Sequence, residues 1–337
     1  SLTRRLIHQK LNNARISEVL KDRLQTELKV LTVYEAKQYP YEETKALEMM
    51  QQSFVDFQRE ELDRLVEAGE VEWIYLNGKK VFHERFIANL VKTRSDYYTR
   101  YLFEEENGID SARQVELDEN VEKMKQLGQR TARIVLKQSL RPLTTLNKED
   151  GPFLTHIPLP RDTGKVANAK ILQTKGEVKQ IDPFAAPQRT IAFETNDPSS
   201  IEATVEHSYE LTAVYTDLFQ LLDEQTMIRE LTESEKTAFA SALNEFAPHI
   251  QFTPFLQQLL QEILPEAKNP LERAYAIYHF VTTKVTYSFM REYYAIPNIS
   301  EYCAVNQKGD CGVQALLFIT LCRMANIPAE WESGLYV

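Results

Sequence analysis

Apolar residues recur at helical spacing through most of the first 145 residues. Leu2, Leu6, Leu11, Ile16 and Leu20 fall loosely on one stripe, and Phe86, Ile87, Leu90, Val91, Tyr97, Tyr98 and Tyr101 mark a second helix over about 84–104. Between them VEWIYLNGKKVFHERF reads as a β-hairpin, because Asn77-Gly78 supplies the two positive-φ positions of a type I′ turn. Trp73 and Tyr75, set against Val81, are expected to pack the hairpin on the helices as core rather than to form an aromatic binding face.

The texture changes at NKEDGPFLTHIPLPRDTG, residues 147–164, to prolines, glycine and β-branched positions. RTIAFET and IEATVEHSYEL follow as strands. In the second, Ile201, Ala203, Val205, His207, Tyr209 and Leu211 alternate with Glu202, Thr204, Glu206, Ser208 and Glu210. A period of two gives one buried face and one acidic face. His207 lies on the apolar side, where a core histidine with a hydrogen-bond partner is expected, not a ligand.

Residues 216–268 return to helix, ending in TPFLQQLLQEILPEAKNP. Asn269 then suits an N-cap, with Pro270 at the first helical position. Leu271, Ala274, Tyr278 and Val281 mark the expected buried stripe of a helix reaching about Thr283. KVTYSF reads as an extended segment, and the aromatic stretch Tyr287–Tyr294, closed by Pro297, as a loop leading toward a cysteine. The domain reading is therefore 1–145 mostly helical with a β-hairpin, 146–215 a small antiparallel β domain, 216–268 a helical connector, and 269–337 a further α+β segment.

That last segment holds KGDCGVQALLFITLCRMANIP, residues 308–328. Gly309 and Asp310 supply a turn residue and a capping residue directly before Cys311. From Gly312 to Ala325 nearly every residue is apolar, so the helix is buried on most sides, and Asn326 with Pro328 ends it. IPAEWESGLYV is expected to resume as a strand. A thiol at a helix start meets unpaired N–H groups and the positive end of the helix dipole, and both favour the thiolate. The same N–H groups, flanked by Asp310 and Gly312, can hold the oxyanion of a tetrahedral acyl intermediate. Cys322 lies eleven residues on, ~16 Å along the helix, and reads as core. Cys303 is placed in the preceding loop as a structural thiol, with a redox pair to Cys311 as the alternative.

Composition narrows the classes. A net charge of −10 and pI near 5.3 argue against a general nucleic-acid surface. The cluster Thr3-Arg4-Arg5 is read as a solvated helix face. No apolar run approaches the ~18 residues of a membrane span. Cys303, Cys311 and Cys322 have no metal-ligand spacing, so no metal and no cofactor is expected. The chain starts at Ser1 without a signal-peptide pattern, which favours a cytoplasmic protein with secretion after processing as the alternative. Oligomeric state is left open.

GDCGVQALLFITLCRMANIPAEWESGLYV resembles the core of the transglutaminase-like superfamily: Gly-Asp-Cys, an apolar helix, a Gly-Ile-Pro-Ala-Arg-type exit, then Ser-Gly. Gly309, Asp310, Cys311, Leu321, Arg323, Ile327, Pro328, Ala329, Ser333 and Gly334 match that pattern, while Asn326 and Glu330 stand where the superfamily has Gly and commonly Arg. The preceding LERAYAIYHFVTTKVTYS is similar to the superfamily's segment before the nucleophile, and the region from IPLPRDTG resembles a β module found ahead of the core. The resemblance covers about 270–337 and, more weakly, 150–215. It implies the first part of a papain-like core with Cys311 as nucleophile.

The resemblance also implies a histidine and an Asp or Asn downstream of the cysteine. No histidine follows Cys311; the six are His8, His83, His156, His207, His249 and His279. Only His279 is near in sequence, and it precedes the cysteine. The expectation is a C-terminally truncated, inactive piece of a cysteine-dependent acyl enzyme acting on amide bonds of proteins or peptides. Hydrolysis as a protease or amidase is preferred over cross-linking, because nothing in the sequence builds a second site for lysine. The alternative is a non-catalytic scaffold that keeps the fold and binds proteins.

Overall fold

The computed structural model describes residues 2–13, 15–103, 111–142, 151–197, 202–223, 228–265 and 269–334. The chain divides into two compact units, one made from both ends of the sequence (1–106 and 221–337) and one from its middle (107–220). Helix and small antiparallel sheets are mixed throughout, an α+β architecture as the sequence implied.

In the first unit, the helices Glu43–Ser53, Arg59–Glu67 and Phe86–Thr93 close over Ala46, Met50, Phe54, Leu62, Phe82, Phe86 and Leu90, all almost fully buried. The hairpin forms between Trp73–Leu76 and Lys79–Phe82, with Asn77 and Gly78 at φ 54° and 80°. Tyr41–Glu42 adds a third antiparallel strand beside Lys79–Phe82. Val81 is buried and Trp73 packs against the cluster, but Tyr75 is 68% exposed and does not contribute to the core. The single helix expected over 84–104 is broken. Arg94 takes an extended conformation (φ −132°, ψ 108°), and its guanidinium is drawn to Asp96 and Glu70, so one helix stops at Thr93 and Ser95–Arg100 starts anew. Glu104 lies outside the described residues.

The second unit carries two three-stranded antiparallel sheets. In one, Ala203–Val214 lies between Gln129–Leu140 and Val166–Lys175; in the other, Thr190–Thr195 lies between Phe153–Pro158 and Val178–Ile181. Ala203 and Val205 of the first sheet share a core with Ile157, Ile191 and Phe193 of the second. His207 is 2% exposed with Nε2 2.9 Å from Gln138 Oε1, a core histidine. Thr204 and Ser208 are buried as well, so the acidic face is not uniformly solvated, and Ile201 lies outside the described residues. The β region also begins earlier than 146. The helix Ser111–Leu127 leads into Gln129–Leu140, which pairs along its whole length with Ala203–Val214.

The C-terminal part of the first unit surrounds the helix Cys311–Met324. Its core joins Leu256, Ile277, Val281, Val285, Ile296, Ile299, Cys303, Val313, Leu317, Leu321 and Cys322. Asn269 caps the helix Pro270–Lys284, its Oδ1 accepting from the N–H of Leu271 at 2.9 Å and of Glu272 at 3.2 Å. The buried positions of that helix are Ile277 and Val281, whereas Tyr278 is 54% exposed; the stripe is rotated from the expected one. The helix Pro254–Ile263 inserts Leu256 into this same core, so the segment assigned as connector takes part in it. Cys303 sits on the helix Ile299–Asn306, not in a loop. Residues 327–334 form no strand with any described residue. The amide of Ala329 donates to Ala242 O instead, and Arg323 Nε donates to Ala329 O. Residues 335–337 lie outside the described residues.

Candidate active site

Thr286–Tyr287 pairs in parallel with Lys308–Gly309, and this short ladder delivers the chain to the start of the Cys311 helix. Cys311 is the first helical residue and Asp310 the N-cap, its backbone extended at φ −75°, ψ −178°. The Asp310 carboxylate accepts from the Val313 N–H at 3.0 Å, and its Oδ1 also accepts from the Tyr293 phenol in a short hydrogen bond. Burial, and then the Asp310 carboxylate, hold Tyr293 well above the usual tyrosine value, so the phenol keeps its proton and donates it.

Both glycines beside the cysteine are required by close approach. A Cβ on Gly312 would lie 2.2 Å from the Tyr293 oxygen, and one on Gly309 would lie 2.5 Å from Val313 Cγ1. Tyr293 therefore lies directly over the first turn, and the aromatic loop expected to lead toward the cysteine does reach it. The amides of Cys311 and Gly312 have no acceptor among the described residues. They and the dipole of a fourteen-residue helix make a positive pole at the thiol.

Among the three cysteines, only Cys311 is exposed. Burial pushes Cys303 and Cys322 up to about 12, with the Asp310 carboxylate adding to the effect at Cys303. At the far end of the helix, Arg323 is buried and donates to Ala329 O at 2.9 Å and Asn244 O at 2.7 Å. Asn326 supplies the left-handed residue after the helix at φ 59°, a conformation asparagine tolerates better than most residues. The helix is thus fixed at both ends.

No histidine is hydrogen-bonded to the Cys311 thiol among the described residues of this unit. His8 and His279 are exposed, and His279 packs beside the Tyr275 ring. His83 is 1% exposed, with Nδ1 accepting from the Arg85 N–H at 3.1 Å; burial lowers its pKa, as it does that of His249. His156 and His207 belong to the other unit. Among the described residues no group of three or more His, Cys, Asp or Glu is arranged to hold a metal, and no helix is long and apolar enough to cross a membrane.

Residues 257–337, the segment that holds the exposed cysteine, match the family model of the transglutaminase-like superfamily. The solved structure of a "Putative Cysteine Protease" from Cytophaga hutchinsonii is similar to this chain with a TM-score of 0.37 and 16% identity, covering 59% of this chain and 67% of that one. No curated protein matches the sequence significantly.

Sequence reasoning singled out Asp310, Cys311 and Gly312, which the structure places together at the helix start, but not Tyr293 beside them. The one signal available was the aromatic density of the loop, which does not say which ring turns inward. Replacing Asp310 with alanine should lower stability by about 1.5–3 kcal/mol, combining a lost N-cap of about 0.5–2 kcal/mol with roughly 1 kcal/mol for the orphaned phenol bond. Tyr293→Phe should cost only the second part. Urea unfolding of the two variants measures this, and equal losses would mean that Asp310 does not cap the helix.

Proposed function

We propose that the protein is a cysteine-dependent acyl enzyme that cleaves amide bonds in proteins or peptides, with Cys311 as nucleophile. The observation that carries this reading is the placement of the only exposed thiol at the first position of a buried, doubly anchored helix with two amides that have no acceptor among the described residues. The sulfur attacks the amide carbonyl, and the negative charge moves to the carbonyl oxygen. The amides of Cys311 and Gly312 can donate to that oxyanion, while Asp310 acts as cap and not as base. Collapse expels the amine and leaves a thioester on Cys311, which water hydrolyses to free acid and thiol. Protonation of the leaving amine requires an acid. Among the described residues no histidine bonds to the thiol, so the reading requires a histidine and an orienting carboxylate that they do not supply.

The test compares residues 1–337 with a longer form of the protein on casein and on an amine-incorporation assay. The shorter chain should be inactive on both and the longer form should release peptides, since general acid–base help is worth about 10²–10⁴-fold. Amine incorporation in place of hydrolysis would make the enzyme a cross-linker. A longer form that carries the histidine and is inactive on both substrates would favour a protein-binding scaffold.

A further inference from the structure

The helix Phe86–Thr93 turns one stripe toward the segment beside the cysteine. Arg85, Asn89 and Lys92 are spaced four and three residues apart, so they share a face. Asn89 is 5% exposed and clamps Phe289 from both sides: its Oδ1 accepts from the Phe289 N–H at 2.7 Å and its Nδ2 donates to Phe289 O at 3.1 Å. On either side of that clamp the two cations lie over aromatic rings. The Arg85 guanidinium is 5.1 Å from the Phe289 ring, and Lys92 Nζ is 5.5 Å from Phe289 and 5.8 Å from Tyr287. Both cationic side chains are exposed, and neither forms an ion pair among the described residues.

The chain as a whole carries a net charge of −10. Arg94, at the end of the same helix, is by contrast paired with Glu70 and Asp96. Ring faces attract the two cations without neutralising them, so the charge remains available to an incoming anion. The strip they cover adjoins the thiol. Tyr287 is the register partner of Gly309, two residues before Cys311, and the Ser288 N–H donates to Gly309 O at 3.2 Å. The Tyr287 phenol is raised by burial and, after that, by the negative charge of Cys311 and Asp310, which places it in their electrostatic reach.

We propose that Arg85 and Lys92, mounted on the Tyr287–Phe289 strip, form an anion subsite beside Cys311 that takes a carboxylate of the peptide substrate. The proposal rests on Cys311 being the nucleophile and adds a substrate class, acidic peptides, to it. Two sources supply the same chemistry, an Asp or Glu side chain near the scissile bond or a free C-terminal carboxylate.

The first test needs no turnover. Residues 1–337 are labelled with 3-maleimidopropionate and with its neutral N-methylamide, which carry the same electrophile, and the ratio of the two rates at Cys311 is compared with that of a cysteine peptide. The field of exposed cations extends about 10 Å at 0.1 M salt and farther at lower salt. At low ionic strength the ratio should exceed the peptide value by about threefold, as two uncompensated charges imply. It should return to the peptide value in the double variant Arg85→Gln, Lys92→Gln and in high salt. An unchanged ratio in the variant overturns the subsite. Failure of the neutral probe to label Cys311 ahead of Cys322 would instead overturn the nucleophile. In the longer form, peptides with an internal Glu, Gln in its place, or an amidated C-terminus separate the two carboxylate sources. Equal cleavage of all three overturns the proposal.

Discussion

Cys311→Ser should reduce peptide hydrolysis by any form of the protein that supplies a histidine partner about 10⁶-fold, to the limit of detection, the scale seen when the nucleophile of a hydrolytic triad is removed. The two side chains are nearly isosteric, and Cys311 is exposed at the first turn, so no packing is lost. The cap from Asp310 to the Val313 N–H and the Tyr293 contact do not involve the sulfur. The variant should therefore unfold at the same urea concentration as the parent while losing turnover. Hydrolysis that survives in the serine variant would remove Cys311 from the chemistry altogether.

Alkylation of the folded 337-residue chain at pH 7.5 should modify Cys311 alone, with Cys303 and Cys322 slower by about 10³-fold or more. Two independent effects set this gap. Burial raises the two core thiols to about 12, so at pH 7.5 thiolate is on the order of a thousandfold rarer at either than at a free thiol with its ordinary value near 8.5. The reagent must also reach them, and Cys303 is fully buried while Cys322 is 1% exposed. The sign with pH follows: raising the pH toward 10 should increase labelling of the core thiols tenfold per unit where they can be reached, without closing the gap. In denaturant all three should react alike. Peptide mapping after iodoacetamide distinguishes the sites, and comparable rates for Cys311 and Cys322 in the folded protein would remove the basis for calling Cys311 a presented nucleophile.

What was legible in the sequence was local. Asn77-Gly78 at a hairpin, Asn269-Pro270 at a helix start and Asp310 before Cys311 each act within three or four residues, and each does in the structure what its chemistry dictates. His207 could be placed in the core because its neighbours alternate strictly. Where the signal was weak or shared, it misled. Gln129–Leu140 was assigned to the helical region because its inward positions are few and include a glutamine, Gln138, which meets His207 only across the sheet. The helix stripe at Pro270–Lys284 was rotated because Tyr278 and Ile277 are both apolar enough to be core, and only the packing partners choose between them.

The sequence by itself determined the fold class and put a thiol at the mouth of an apolar helix, since caps, turns and periodicity depend on covalent neighbours. Only the tertiary structure decided which rings and charges surround that thiol. Tyr293 reaches Asp310 across seventeen residues, and Asn89 holds Phe289 across two hundred. Pairings at such distances leave no periodic trace in the chain, because they depend on the closure of long loops and on which of several similar side chains finds space. The same holds for the glycines: GDCG is readable as a motif, but the closeness of Tyr293 that leaves no room for a Cβ on Gly312 exists only once the loop has folded over the helix.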